Sequence, residues 1–228
     1  MKVLHFKTLD STNNYVKKHL KELPEAALVL ADYQSSGRGR RGRTWTSDQG
    51  KNFLGTYLYK EHLDDGFNAL LQSSLAIIDT LESFGVDSFI KLPNDILVND
   101  QKIAGILIEQ IRDGSPALLI GIGLNVNDAP NIEGTTSLKR LLGKSIGVAE
   151  VRELLSERIE RNRSVSFAEL FSRFKDTLSS KHLHGIYQNK PVRIEDIDEH
   201  FQCRIDSKWV PCQAIQFRSL TTNCKYFK

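Results

Sequence analysis

The stretch QSSGRGRRGRTW, Gln34 to Trp45, sets Arg38, Arg40, Arg41 and Arg43 among Gly37, Gly39 and Gly42, with no acidic residue. Glycine permits positive φ, so consecutive backbone N–H groups can face one side as a concave nest for an anion. Arginine adds an always-charged fork that suits carboxylate or phosphate oxygens. A nucleic-acid arm or a solvated linker would use the same residues, and on this stretch alone all three readings stay open. Its position between two strand-like runs, with a tryptophan at its end, favours a structured ligand loop.

A second constellation lies in KLPNDILVNDQKIAGILIE, Lys91 to Glu109. With Asn99-Asp100 as a two-residue turn, Val98 pairs with Gln101, Leu97 with Lys102, Ile96 with Ile103 and Asp95 with Ala104. Alternation then places Asp95, Leu97, Lys102 and Ala104 on one face, and Ile96, Val98 and Ile103 on the apolar one. Asp95 and Lys102 become diagonal cross-strand neighbours about 7 Å apart. Such a lysine can neutralise an anionic substrate, with the aspartate orienting it or binding a metal; the pair is equally consistent with a partly exposed salt bridge. Pro93 fixes the chain before Asn94-Asp95, and Gly105 allows close approach to the next strand. In IGIGLNVN, Asn125 and Asn127 share a face if the strand continues, offering donors and acceptors for phosphate, ribose or a base edge. Spacing alone favours a strand end running into Asp128-Ala129-Pro130.

The elements that must hold these residues are strand-rich. Val3 to Phe6, Ala27 to Asp32 and Phe53 to Tyr59 read as strands. So do Phe89 to Leu92 with Ile96 to Val98, Lys102 to Ile111, and Ala117 to Asn127. Helical spacing covers Val16, Leu20 and Leu23 after an Asp10 or Ser11 cap, then Asn68 to Phe84, stopped by Gly85. Two more helices span about Ala149 to Arg163 and Phe167 to Leu178. Hairpin-joined strands outnumber helices, which predicts an α+β fold with a mixed β-sheet and flanking helices over residues 1–185. Residues 186–228 read as a small C-terminal β appendage.

Bulk properties exclude several classes. The chain has 228 residues, a net charge of +3, 40% hydrophobic and 26% charged residues, values of an ordinary globular protein. So mild a charge does not point to a nucleic-acid partner, and the basic loop is a local feature. No apolar run reaches the roughly 18 residues of a membrane span, and the first residues lack a signal-peptide core, so a cytoplasmic protein is expected. Cys203, Cys212 and Cys224 lack the close pairing of a zinc site and read as three unremarkable thiols.

Taken together, STNNY, QSSGRGRRGRTW, KLPNDILVNDQKIAGILIE and IGIGLNVN stand in the order and spacing of biotin–protein ligases. From about Leu9 to Leu142 the chain resembles that family. Lipoate ligases and octanoyltransferases share the fold but look different in the glycine–arginine segment. The resemblance implies a class II synthetase-like catalytic domain followed by an SH3-like appendage, diverged or truncated. It implies activation of biotin with ATP and Mg2+ to biotinoyl-5′-AMP, then transfer to a lysine of a biotin carboxyl carrier protein domain, usually that of acetyl-CoA carboxylase.

The same resemblance implies roles for individual residues. Lys102, Arg40 and Asp95 would be catalytic, with Lys102 bridging the biotin carboxylate and the phosphate. Ser11, Thr12, Asn13 and Gln34 would hydrogen-bond the biotin ureido head, with Gly37, Arg38, Gly39, Trp45 and Gly105 completing the biotin site. Arg40, Arg43, Asn94, Lys102 and Asn125 would face the nucleotide, and no protein side chain is assigned to a metal. A loop that shields an acyl-adenylate from water is expected to be mobile when empty and ordered when biotin is bound. Leu92 stands where the family usually has tryptophan, which alters one wall of the pocket. With the first motif starting near residue 10, no DNA-binding segment and no DNA partner is expected; nor is a membrane partner, and a monomer or weak homodimer is. The alternatives are a lipoate or octanoate ligase or transferase of the same fold, or a relative that binds biotin without turnover, against which the intact Asp95 and Lys102 argue.

Overall fold

The computed structural model describes residues 1–60, 66–112, 114–178 and 183–217. Its centre is a seven-stranded sheet, built from β1 (Lys2–Leu9), β2 (Ala26–Gln34), β5 (Phe53–Tyr59), β6 (Phe89–Lys91), β7 (Asp95–Val98), β8 (Gln101–Ile111) and β9 (Ala117–Leu124). The order across it is β1-β2-β5-β9-β8-β7-β6. Only β1 and β2 run parallel; every other neighbouring pair is antiparallel, so the predicted mixed sheet is what forms.

Period-two alternation gives this sheet two different faces. One carries Leu28, Leu30, Tyr57, Ile106, Ile120 and Ile122 into the main core. It is covered by α2 (Gly66–Glu82), α4 (Val148–Arg163) and α5 (Phe167–Asp176), beside the short α3 (Leu138–Leu142). The opposite face is covered only in part. There α1 (Thr12–Lys18), capped by the Ser11 side chain, packs Val16 on Val29, Leu58 and Leu119. Leu20 and Leu23 follow α1 into the same cluster although the helix has already ended. The rest of that face is left for the basic loop and a cleft.

The basic loop is a small hairpin, β3 (Gly37–Arg38) against β4 (Thr44–Trp45), closed by a 3₁₀ turn over Arg40–Gly42. Positive φ falls on Arg41 and Gly42. The Gly39 N–H donates to Arg43 O and the Arg43 N–H to Arg40 O, so these two amides serve the hairpin and not an anion nest.

The turn at Asn99-Asp100 forms as expected, both residues with positive φ, and Leu97 opposes Lys102. Beyond that pair the register is corrected. A β-bulge at Ile103 makes Ile96 oppose Ala104 and Asp95 oppose Gly105. The extra residue re-aims the strand, so Ala104 turns into the core and Gly105 takes its place on the Asp95 face. The strand through IGIGLNVN also stops earlier than expected, at Leu124. Asn127 exchanges hydrogen bonds with the backbone of Ile146, which turns the chain away.

The appendage consists of two three-stranded sheets. One contains β10 (His184–Tyr187), β11 (Lys190–Arg193) and β15 (Gln216–Phe217). The other contains β12 (Asp196–Ile197), β13 (Gln202–Ile205) and β14 (Lys208–Pro211). In this glycine-poor stretch the tight turns put Gln188-Asn189 and Asp206-Ser207 at positive φ. Its apolar residues join the main core, with Phe201 stacked on Phe67 of α2 at 4.4 Å.

The expectation of three free thiols is corrected for two of them. Cys203 and Cys212 form a disulfide, with Cα atoms 5.4 Å apart. Cys203 opposes Val210 in the β13–β14 hairpin, and the Cys212 N–H donates to Phe201 O, which brings the two sulfurs together. Linear spacing does not reveal a pairing made by a hairpin. Cys224 lies outside the described residues.

Candidate active site

A cleft on the partly covered sheet face brings together nearly every residue singled out in the sequence. Its walls include Ser11, Thr12, Asn13, Gln34, Arg38, Gly39, Arg40, Arg43, Trp45, Asn94, Asp95, Lys102 and Gly105. Gly37 borders it from β3, paired with Trp45. Asn125 is the exception. It is buried off the cleft, where its Nδ2 donates to Thr136 O and its N–H to Ile103 O.

The cleft has two chemically distinct ends. At one end lies a neutral polar network at the start of α1. Thr12 donates both its backbone N–H (2.7 Å) and its hydroxyl (3.1 Å) to Gln34 Oε1. The buried Thr56 hydroxyl stands 2.8 Å from Thr12 Oγ1 and 2.7 Å from Asn13 Oδ1. Asn13 Nδ2 donates to the Glu109 carboxylate at 2.9 Å. This packing needs bare backbone beneath Asn13: a Cβ on Gly121 would lie 2.3 Å from its Oδ1.

At the other end cations converge on one carboxylate. Lys102 Nζ lies 2.7 Å from Asp95 Oδ1. Lys91, directly opposite Asp95 in the β6–β7 pairing, joins them. Burial lowers the Lys91 pKa, Asp95 partly offsets this, and the charges of Lys102 and Arg43 lower it further. Arg40 is lowered by burial and by Arg41, against the pull of Asp95. Its Nη1 reaches Asn94 Oδ1 at 3.5 Å, while Asn94 Nδ2 donates to Ile106 O at 2.6 Å. Arg40, Arg43, Lys91 and Lys102 thus face a single Asp95, and the surplus positive charge suits more than one anionic group at once.

Trp45 joins the two ends. Its ring lies on Gly123, where a Cβ would sit 2.4 Å from the indole, and the Lys102 ammonium is 5.3 Å from the ring centroid. The apolar stretch between the polar head site and the cationic end is therefore floored by an indole.

Several residues of this cleft carry no signal in the motif reading. Lys91 becomes visible only once β6 pairs with β7. Glu109 could have been found from alternation, since Gly105, Leu107 and Glu109 fall on one face of β8. Ile215 and Phe217 line the cleft from the appendage, and Arg41 Nη2 donates to Gln213 O and Ile215 O at 3.1 and 3.4 Å. Only the tertiary fold brings them there. Among the described residues no three His, Cys, Asp or Glu side chains cluster to hold a metal ion, and no helix is long and apolar enough to cross a membrane.

Comparison with known proteins places the chain in a family. The bifunctional ligase/repressor of Escherichia coli (strain K12) is 37% identical over 126 residues, spanning 53% of this chain and 39% of that protein. The biotin–[acetyl-CoA-carboxylase] ligase of Paracoccus denitrificans is 38% identical over 130 residues, 54% of this chain and 53% of that protein. The chain thus spans about half or less of the length of these curated relatives. Among solved structures, the biotin protein ligase of Aquifex aeolicus in complex with biotin and ATP superposes with a TM-score of 0.81 at 23% identity. That likeness covers 96% of this chain and 99% of the other, and shows a shared fold. Residues 5–127 match the biotin/lipoate A/B protein ligase family, and to that family the chain belongs.

Proposed function

We propose that the protein is a biotin–[acetyl-CoA-carboxylase] ligase, which makes biotinoyl-5′-AMP from biotin and ATP and passes biotin to a lysine of a biotin carboxyl carrier domain. The observation that carries this reading is the pairing of ends in one cleft. A neutral head site of Thr12, Asn13 and Gln34 lies across the Trp45 floor from the cationic set of Lys91, Lys102, Arg40 and Arg43. Biotin has the matching shape: a neutral ureido head rich in donors and acceptors, an apolar tail and a terminal carboxylate. The ureido group can take up donors and acceptors that Thr12, Asn13 and Gln34 otherwise exchange among themselves and with Glu109, whereas octanoate and the dithiolane of lipoate offer that end no comparable hydrogen-bonding group. The name of the Paracoccus protein supports biotin as the substrate, and the Aquifex protein was solved in complex with biotin and ATP.

In the first step a biotin carboxylate oxygen attacks the α-phosphorus of ATP, the α–β anhydride breaks and pyrophosphate leaves. Two anions must meet, so positive charge between them lowers the barrier. Lys102 is assigned the bridge, with Arg40 and Arg43 on the phosphates and Asn94 holding Arg40. Asn125, buried beside the cleft, acts on the nucleotide only by shaping the segment after β9. Magnesium would arrive with the triphosphate and be held chiefly by phosphate oxygens, as Mg2+ keeps few protein ligands. In the second step the carrier lysine amine attacks the acyl carbon and AMP leaves. Asp95 is assigned to orient Lys102 and the incoming amine.

The catalytic unit would end before β10, two residues earlier than the expected division at 185/186, and the appendage that begins with His184 borders the cleft through Ile215 and Phe217. Biotin-dependent ATP–pyrophosphate exchange tests the proposal. Exchange with lipoate or octanoate but not biotin would overturn it.

A further inference from the structure

Glu109 lies near the C-terminal end of β8, and three donors from two other elements converge on its carboxylate. Lys17 Nζ reaches Oε1 at 2.7 Å, while Asn13 Nδ2 and Arg38 Nη1 reach Oε2 at 2.9 and 3.0 Å. Arg38 also donates to Asn14 Oδ1 at 3.3 Å. Its guanidinium thus faces α1 and β8, while Arg40 and Arg43 line the cationic end of the cleft.

We infer that Glu109 is a positioning residue whose carboxylate clasps Arg38, and thereby holds the basic hairpin over the cleft. The chemistry favours this over a chance surface contact. The carboxylate is mostly shielded, with 18% of its side chain exposed, so charged hydrogen bonds to it are only partly screened. It is also held from a second side by Asn13, whose amide is oriented in turn by Thr56. Arg38 therefore meets an acceptor that does not swing away. Arg38 is two residues from Arg40, so releasing it frees the base of β3 and with it the arginine that faces the anions. The role of Arg38 is then to close the hairpin and not to bind the anion.

A double-mutant cycle tests the clasp in the free, full-length protein. The readout is the rate of tryptic cleavage after Arg40 and Arg41, two bonds that every variant of the cycle retains. Gln at position 109 still accepts from Asn13 but loses the charge that Arg38 requires. Glu109→Gln and Arg38→Gln should each speed cleavage about tenfold, the weight of one charged hydrogen bond. The double variant should be cut no faster than either single one, because both remove the same contact. Wild-type cleavage rates in Glu109→Gln, or effects that multiply in the double variant, would overturn the clasp. Thermal unfolding of the same variants separates hairpin release from general loosening: cleavage that rises only in step with a falling Tm also overturns it.

The consequence for catalysis rests on the function proposed above. In exchange assays Glu109→Gln should raise the biotin KM about tenfold, with the wild-type response to pH retained. A wild-type protein with no biotin-dependent exchange defeats that function, while the cleavage cycle still decides the clasp.

Discussion

Lys102 and Asp95 meet at 2.7 Å because a bulge at Ile103 shifts β8 by one residue, so that Asp95 opposes Gly105 and not Ala104. A glycine at that position leaves the lysine room to fold back along its own strand. If Lys102 bridges the two reacting anions, Lys102→Ala should reduce biotin-dependent exchange by about 10²-fold or more, the effect of deleting one preorganised charge donor. Lys102→Arg should recover part of it. Tm should move little, since the pair is partly exposed and contributes little to stability. Full exchange in Lys102→Ala would remove the lysine from the mechanism.

Trp45 and Gly123 test the floor of the cleft. Gly123→Ala places a methyl 2.4 Å from the indole, so the ring must move. Overpacking of this kind costs about 1–3 kcal/mol. We expect the biotin KM to rise roughly 5- to 100-fold, since the displaced ring takes the hairpin end with it. In a Trp209→Phe background, which leaves Trp45 as the chain's single tryptophan, intrinsic fluorescence should shift in parallel, and an unchanged spectrum with unchanged KM would refute the placement.

These two cases show what was legible in the sequence. Alternation and turn chemistry identified the Phe53–Tyr59 strand, the α4 start within a residue, and the Asn99-Asp100 turn, because each depends on neighbours in the chain. The bulge at Ile103 was not legible, since it depends on which residues the partner strand presents. The pairing of Cys203 with Cys212 and the reach of Arg41 to Ile215 depend on contacts between distant segments. Asn125 is a nucleotide residue only by the family resemblance, while its spacing favoured a strand end; the strand does end at Leu124, and Asn125 turns inward.

The burial of Lys91 predicts an alkaline limit. Burial first, then Lys102 and Arg43, lower its pKa against the pull of Asp95. Anions bind the charged form, so affinity is complete below the lowered pKa and falls as pH rises through it. The fall should begin below the value near 10.4 that an ordinary lysine shows. Lys91→Arg, charged throughout, should move this limb of the kcat/KM profile to higher pH. An alkaline limb that stays in place would assign it to another group.

Ligand closure is tested by protection. The Gly37–Arg43 hairpin is tied by Arg38 to Glu109 and by Arg41 to the appendage, yet its own strands are only two residues each. Biotin should slow cleavage there, and biotin with ATP should slow it further, because the adenylate engages both ends of the cleft. Equal sensitivity with and without biotin would show that the hairpin does not respond to the ligand.

Arg41 gives the Cys203–Cys212 disulfide a role beyond the appendage. Its acceptors, Gln213 O and Ile215 O, lie one and three residues after Cys212 in a 3₁₀ turn. The disulfide ties that turn to β13, and Ile215 packs into the common core. Closing so short a loop constrains the unfolded chain by about 2–3 kcal/mol. A Cys203→Ser, Cys212→Ser double variant should therefore unfold at lower temperature than the oxidised wild type. It should also show faster hairpin cleavage, because the ledge that receives Arg41 is released. Followed at the bond after Arg40, which Arg41→Ala leaves in place, adding that substitution to the double variant should then change the cleavage rate little, since the contact is already weakened. If the two sets of changes act independently, the disulfide stabilises the appendage alone and does not reach the cleft.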